Sequence, residues 1–394
     1  MKRIILGSLT MSLAVAASAQ SSLTLYGLVD NGLQYETGLP KGNRWAAESG
    51  NWAESRFGLK GLEDIGGGTF VTFQLESRLN TENGTFANGS FFEGQATVGM
   101  SNATYGSFRI GNFGASELLQ YAGILDPQQT QKYSFGTLVR GRMFPQAANG
   151  AEYLSPSFGG FTVQGQYNLT NSTTWNAGNP GSVPSQQGTS TGLGSSQGRD
   201  DGIKLEYKAH SLDFQAIYDE MRDGNGKFSN VYLASRSIFA GGSYVWGPVT
   251  FYAGYQHLSA PDASNVGYYG TANPSALPAD TSLPTTVDDE WVGAQWAVTP
   301  STFLTGAVYH ANANNGNGNA TLYTLSGAYQ LSKRTRLYSE LGYLHNSETS
   351  NLGLNGGLYG ANTNNDPVNG NMSSTNPNFG HSQFGAFAGI ATQF

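Results

Sequence analysis

Arg56, Lys60, Glu76 and Arg78 stand at even positions among apolar neighbours. Phe57 and Leu59 flank the first two, Val71, Phe73, Leu75 and Leu79 flank the second two, and a glycine turn at Gly66–Gly68 separates the runs. Side chains two residues apart share one face of a strand, so each run carries charge on one side and apolar groups on the other. Charges held in such rows do ion chemistry rather than covalent chemistry. In a narrow passage they bias the local potential and decide which ions enter. The competing role for the same residues is a set of cross-strand ion pairs that steady a sheet, each worth little.

Signs of catalysis are weaker. His210, His257, His310, His345 and His381 are scattered, with no pair at metal-ligand spacing, so HExxH-type zinc chemistry is excluded and no metal is expected. No motif asks for a cofactor, and no catalytic residue is assigned. Asp223-Gly224-Asn225-Gly226 lacks the ligand spacing and distal Glu of a calcium loop and reads as a hairpin turn. A formal net charge of −7 is the wrong footprint for nucleic acid.

The elements that position the charged rows begin after an export signal. Lys2 and Arg3 precede an apolar run, Ile4 to Ala16, and Ala17-Ser18-Ala19 offers a small-residue cleavage site before Gln20. Residues 1–19 are therefore expected to be a cleaved signal peptide, with residues 20–394 forming one domain. The chain contains no cysteine, which rules out a disulfide scaffold in an exported protein. It is rich in glycine (54), tyrosine and phenylalanine (21 each), and only 12% of its residues are charged.

Alternation recurs along the whole chain. It opens at Leu23–Tyr35, where Leu23, Leu25, Val29 and Leu33 oppose Thr24, Asp30 and Gln34, and it closes at Ser382–Phe394. The pattern predicts about sixteen strands of roughly ten residues, the length a tilted strand needs to cross a bilayer. Short turns alternate with long Gly-, Ser- and Asn-rich loops, and Gly38–Gly50 reads as one of the loops. The expected fold is all-β: a transmembrane antiparallel barrel with its apolar face toward lipid and its charged face around water. Residues 112–148 break the pattern while carrying Glu117, Asp126, Lys132, Arg140 and Arg142; long irregular segments inside an ordered fold are usually functional or disordered. Trp291, beside Glu290, is turned toward the lumen by the alternation from Val292, where it would stack on a sugar.

Several stretches resemble one known family. SSLTLYGLVDNGL (21–33), SRFGLKGLEDIGGG (55–68), YLSPSFGGF (153–161), LSKRTRLYSELGYLHN (331–346) and the terminal Phe394 are similar, in order, to the general porins of β-proteobacterial outer membranes, the Neisseria–Burkholderia–Comamonas type. The resemblance implies a sixteen-stranded barrel, usually a homotrimer, whose third external loop folds inward and narrows the lumen. It places Arg56 on the wall facing that constriction; alternation adds Lys60, Glu76 and Arg78 to the same face, and Glu117 and Asp126 fall in the inward loop. It also implies that Phe394 belongs to the signal read by the barrel-assembly machinery, and that the partners are the bilayer with its lipopolysaccharide, two further copies of the chain, and small hydrophilic solutes. Family members often carry a basic residue where this chain has Gln95, Asn112 and Gln146, which implies weaker anion selectivity here. The expected function is passive diffusion of ions and small hydrophilic solutes across the bacterial outer membrane. The alternatives are a solute-selective porin for a sugar or small organic anion, and a secreted β-rich adhesin or lectin.

Overall fold

The structure, a computed structural model, describes residues 22–40, 42–86, 91–114, 118, 123–129, 131–139, 142, 149–168, 199–223, 226–232, 234–263, 278, 280–354, 365–366, 371–372 and 376–394. The expected signal peptide, Glu117, Arg140 and Gln146 lie outside the described residues.

The chain opens with a long strand, β1 (Ser22–Leu39), and an arm, β2 (Gly42–Ser49). Then follow β3 (Arg56–Gly66), β4 (Thr69–Asn80), the two-residue β5 (Thr85–Phe86), β6 (Gln95–Asn102), β7 (Gly106–Asn112), β8 (Gly150–Leu154) and β9 (Phe161–Asn168). The second half holds β10 (Arg199–Ala209), β11 (Leu212–Arg222), β12 (Arg236–Trp246), β13 (Val249–Ser259), β14 (Thr286–Thr299), β15 (Thr302–Ala313), β16 (Ala320–Gln330) and β17 (Thr335–Asn346). A small pair, β18 (Asn365–Asp366) and β19 (Asn371–Met372), precedes the last strand, β20 (Gln383–Gln393).

Every pairing is antiparallel, and consecutive strands pair except where β4 reaches β6 past β5, where β17 reaches β20 past β18 and β19, and where the ring closes. There β1 pairs with β3 along its first half and with β20 along Leu28–Glu36. The Gly27 and Phe394 backbones exchange N–H···O bonds of 3.1 Å at the seam. Setting aside the arm β2 and the two-residue β5, the 18-stranded sheet is a closed barrel of sixteen strands among the described residues. Closure leaves no edge strand, the condition for spanning lipid with sheet.

Why these residues make this barrel is a matter of alternation. Along β15 exposed and buried residues alternate almost without interruption, with Leu304, Val308 and His310 outward and Thr305, Ala307, Tyr309 and Ala311 inward. Leu23, Leu25, Val29 and Leu33 face outward on β1, and Asp30, Gln34 and Glu36 are buried on its inner side. Phe73, Val98, Met100, Ile203 and Leu341 continue the exposed apolar band round the barrel. At the short-turn end it is edged by Tyr105, Phe158, Trp246, Trp296, Tyr329 and Phe394, all exposed, where amphipathic rings anchor at a lipid–water boundary.

The two ends differ. Tight turns join β3–β4, β10–β11, β12–β13 and β14–β15, and Gly66, Gly67 and Gly68 all take positive φ, a conformation that favours glycine. The other end carries the long connections, which fits short periplasmic turns and long external loops.

Three readings from the sequence need correction. Gly38–Gly50 is largely sheet: β2 runs antiparallel to Asn31–Leu39 and covers the β1 edge that β3 leaves open, because an unpaired backbone row needs partners. The strand expected from Phe91 begins at Gln95, since residues 91–94 turn aside as Phe91 gathers with Phe57, Phe86 and Phe92. Asp223 and Gly226 do form a turn, 2.9 Å between amide and carbonyl, but inside the longer 223–235 connection rather than as a hairpin between strands.

Candidate functional site

The charged residues selected by alternation sit together on the inner wall of β3, β4 and β6. Arg56 lies opposite Arg78, Gly58 opposite Glu76, Lys60 opposite Gln74, and Glu76 opposite Gln95. Arg56 approaches Glu76 at 3.8 Å, while Arg78 pairs more tightly, at 2.9 Å, with Glu54. Tyr26 donates its hydroxyl to Glu76 (2.9 Å) and accepts from the Gln74 amide (2.7 Å). Lys60 is exposed to the lumen, its ammonium 5.5 Å from the Tyr26 ring. Arg56 keeps 35% of its side-chain surface exposed, against 13% for Arg78. Gln95 is half-buried beside them.

The wall continues where sequence reasoning assigned nothing. Arg109 on β7 pairs with Glu152 on β8 at 2.5 Å, and Gln164 donates to the same carboxylate at 3.0 Å. On β10, Lys204 lies 3.6 Å from Glu206, which also pairs with Lys208. The signal was present: Arg109 stands between Phe108 and Ile110, and Lys204 between Ile203 and Leu205, with all four apolar neighbours exposed on the outer face.

The opposite side of the lumen is covered. The described residues among 118–142 (118, 123–129, 131–139 and 142) lie against the inner faces of β11 to β17, β20 and β1, and much of the hydrophobic core is the layer between them and the wall. Leu118, Leu125, Phe135 and Leu138 meet Ile217, Phe239, Trp291 and Tyr309 there. Room for the segment comes from glycines on the inner face. A Cβ at Gly342 or Gly385 would come within 2.7 Å or 2.4 Å of Tyr133, and one at Gly293 within 2.5 Å of Pro127. The passage therefore runs between this covered side and the charged wall of β3 to β10.

The loop's own charges are latches. Asp126 is fully buried and accepts the Tyr309 hydroxyl at 2.5 Å, so it points at the wall rather than into the passage. Arg142 is equally buried, bonded to Asp219 (2.8 Å) and to the Ser235 hydroxyl and carbonyl (2.8 and 2.9 Å). Lys132 donates to Gln34 (2.6 Å) and pairs with Glu48 on β2. Burial favours these placements because a desolvated charge needs a partner fixed in place. Trp291 does face inward, but it is buried beneath Phe135 and donates its indole N–H to the Leu125 carbonyl at 3.3 Å. It offers no open face for a sugar. Asn112, one of the neutral replacements, holds the Phe92 and Glu93 carbonyls at 3.3 and 3.1 Å.

A second inward piece is the 50–55 segment. Asp30 accepts the Trp52 and Ala53 amides at 2.8 and 2.9 Å as well as the Tyr338 hydroxyl. This brings Glu54 to the charged wall, where burial pushes its carboxyl up to about 7, against the pull of Arg78 and with a further rise from Glu93.

The likenesses agree with this architecture. The family model for Gram-negative porins matches residues 7–349. An outer membrane porin protein of Bordetella pertussis is 26% identical over 386 residues, covering 88% of this chain and 94% of that protein. Among solved structures, an anion-selective porin from Comamonas acidovorans superposes with a TM-score of 0.71 at 22% identity, covering 95% of this chain and all of that one. OmpT of Vibrio cholerae in its trimer form gives 0.57 at 14% identity, covering 95% and 99%. A closed barrel, a lipid-facing apolar band and a charged lumen thus coincide with a family match over most of the length: the chain belongs to the Gram-negative porins and is an outer-membrane channel for passive diffusion.

Proposed function

We propose that this channel passes ions and small hydrophilic solutes with weak ion selectivity. The observation that carries the reading is the composition of the open wall. Arg56 and Lys60 are offset by Glu76, the Arg109 and Lys208 charges are paired with Glu152 and Glu206, and Gln95 and Asn112 are neutral. Near-balanced charge in a water-filled passage biases entry only slightly. The Comamonas porin is described as anion-selective; with Gln95 and Asn112 neutral, the expectation for this chain is a weaker preference.

The working unit is a homotrimer embedded in the outer membrane, surrounded by lipid and lipopolysaccharide, exported by a signal peptide at residues 1–19 and assembled through recognition of Phe394. Within the inward loop, Asp126, Lys132 and Arg142 act as anchors that set the width of the passage, and Glu117 and Arg140 belong to the same segment. Reversal potentials in planar bilayers under a potassium chloride gradient test the selectivity. A value close to zero is expected, and one approaching the chloride equilibrium potential would overturn it.

A further inference from the structure

Three arginines occupy the wrong face for a pore. Arg199, Arg222 and Arg236 have the alternation parity of Ile203, Tyr218 and Ile238, which are exposed on the membrane-facing side of β10, β11 and β12. They stand at the long-loop ends of these strands, the external end of the barrel. A guanidinium facing hydrocarbon is costly, so these residues mark the level of the lipid head groups.

Their arrangement is built rather than incidental. Glu220 lies among all three, at 2.5 Å from Arg222, 3.7 Å from Arg236 and 3.9 Å from Arg199. Asp201 takes a second contact from Arg199 at 2.6 Å. Arg222 and Arg236 both stack on the ring of Phe228, 4.2 and 4.3 Å from its centroid. Three arginines face Glu220 and Asp201, and around Phe228 exposed Lys227 is offset by exposed Asp262, which accepts the Phe228 amide at 3.0 Å, so the patch keeps one cation in excess. The Arg236–Glu220 pair is too long for a hydrogen bond, and Arg236 keeps 45% of its side chain exposed.

Farther down the same face is a mostly apolar groove of about 630 Å³ between Phe214 and Tyr255, floored by Ala240, Gly242 and Ala253 and bordered on its far side by Val292, Glu290 and His310. Ala240 is four residues along β12 from Arg236, roughly 13 Å at strand rise. A cationic rim above an apolar trough on one membrane-facing surface matches an amphiphile with an anionic head and alkyl chains.

We infer that this surface seats the phosphorylated glycolipid of the outer leaflet, lipopolysaccharide, with a phosphate on the Arg199, Arg222 and Arg236 guanidiniums and an acyl chain in the groove. The inference rests on the outer-membrane channel reading and names a partner for the outside of the barrel. Guanidiniums suit the role because their planar fork binds phosphate oxygens two at a time.

The test uses the full mature protein in detergent, with lipopolysaccharide binding followed by native mass spectrometry. The variant R199Q/R222Q/R236Q is expected to lose on the order of a hundredfold in affinity, from three head-group cations. A240F, which fills the groove and leaves the arginines in place, is expected to weaken binding as well. Enzymatically dephosphorylated lipopolysaccharide should bind the wild type as poorly as intact lipopolysaccharide binds the triple variant. Unchanged affinity in the triple variant, equal binding of the dephosphorylated form, or equally tight binding of phosphatidylglycerol would each overturn the assignment. So would dissociation of the triple variant's oligomer, which would make the patch a contact between copies of the chain. Conductance in lipopolysaccharide-free bilayers should stay at the wild-type level, because all three residues lie outside the lumen; an absence of conductance in the wild type would instead refute the channel reading.

Discussion

Trp291 of β14 and Phe135 of the inward loop lie nearly parallel, ring centroids 4.7 Å apart and planes 19° from one another. Gly254 on β13 makes this possible, since a Cβ there would fall 2.1 Å from the indole. The stack is the middle of the apolar layer that, with the Asp126, Lys132 and Arg142 contacts, keeps the loop on the wall.

Removing that stack should loosen the loop. Trp291→Ala deletes a buried aromatic at a cost of roughly 3–5 kcal/mol. Single-channel recordings are expected to show raised conductance and more open-channel noise, with Trp291→Phe between the variant and the wild type.

The Arg142–Asp219 pair predicts a different kind of failure. Both side chains are fully buried, and deleting one partner of such a pair typically costs about 3–5 kcal/mol because the other is left charged and dry. Arg142→Met should lower the temperature of the heat-modifiable shift on denaturing gels. Adding Asp219→Asn should recover most of the loss, since it removes the stranded charge.

The proposed weak selectivity makes the charge on the open wall the quantity to change. Arg56→Glu with Lys60→Glu reverses the two cations that β3 presents to the lumen, and the reversal potential is expected to move toward cation preference with conductance largely kept. Arg78→Gln, on a residue already committed to Glu54, should move it less.

Glu54 supplies a pH dependence. Its folded-state value near 7 lies above the ordinary 4.5, so in the native protein it is protonated at pH 5 and ionised at pH 8. Cation preference should therefore increase as pH rises through about 7, and Glu54→Gln should flatten that step. The same linkage makes the native-state contribution of this group greatest below the ordinary glutamate range and lost as pH rises through about 7.

The strand pattern was legible because lipid outside and water inside impose opposite chemistry on alternate residues, and Phe57/Lys60 or Phe108/Arg109 show that in a few letters. The inward loop was legible only as an interruption. Its docking depends on pairs such as Tyr133 with Gly385 and Asp126 with Tyr309, the latter 183 residues apart, and no local period reports such contacts. For the same reason Trp291 was read correctly as inward-facing, while the ring covering it was invisible. The β2 arm escaped notice because Gly42–Ser49 has little strand propensity of its own and forms where β1 leaves an edge to cover.

The most direct measurement exploits the absence of cysteine. Lys60→Cys and Leu59→Cys, neighbours on opposite faces of β3, are each placed in planar bilayers and exposed to a membrane-impermeant, negatively charged thiosulfonate. Conductance through Lys60→Cys should fall in steps while Leu59→Cys stays unchanged; block at Leu59→Cys with none at Lys60→Cys would contradict the assignment of the charged face to the water-filled lumen.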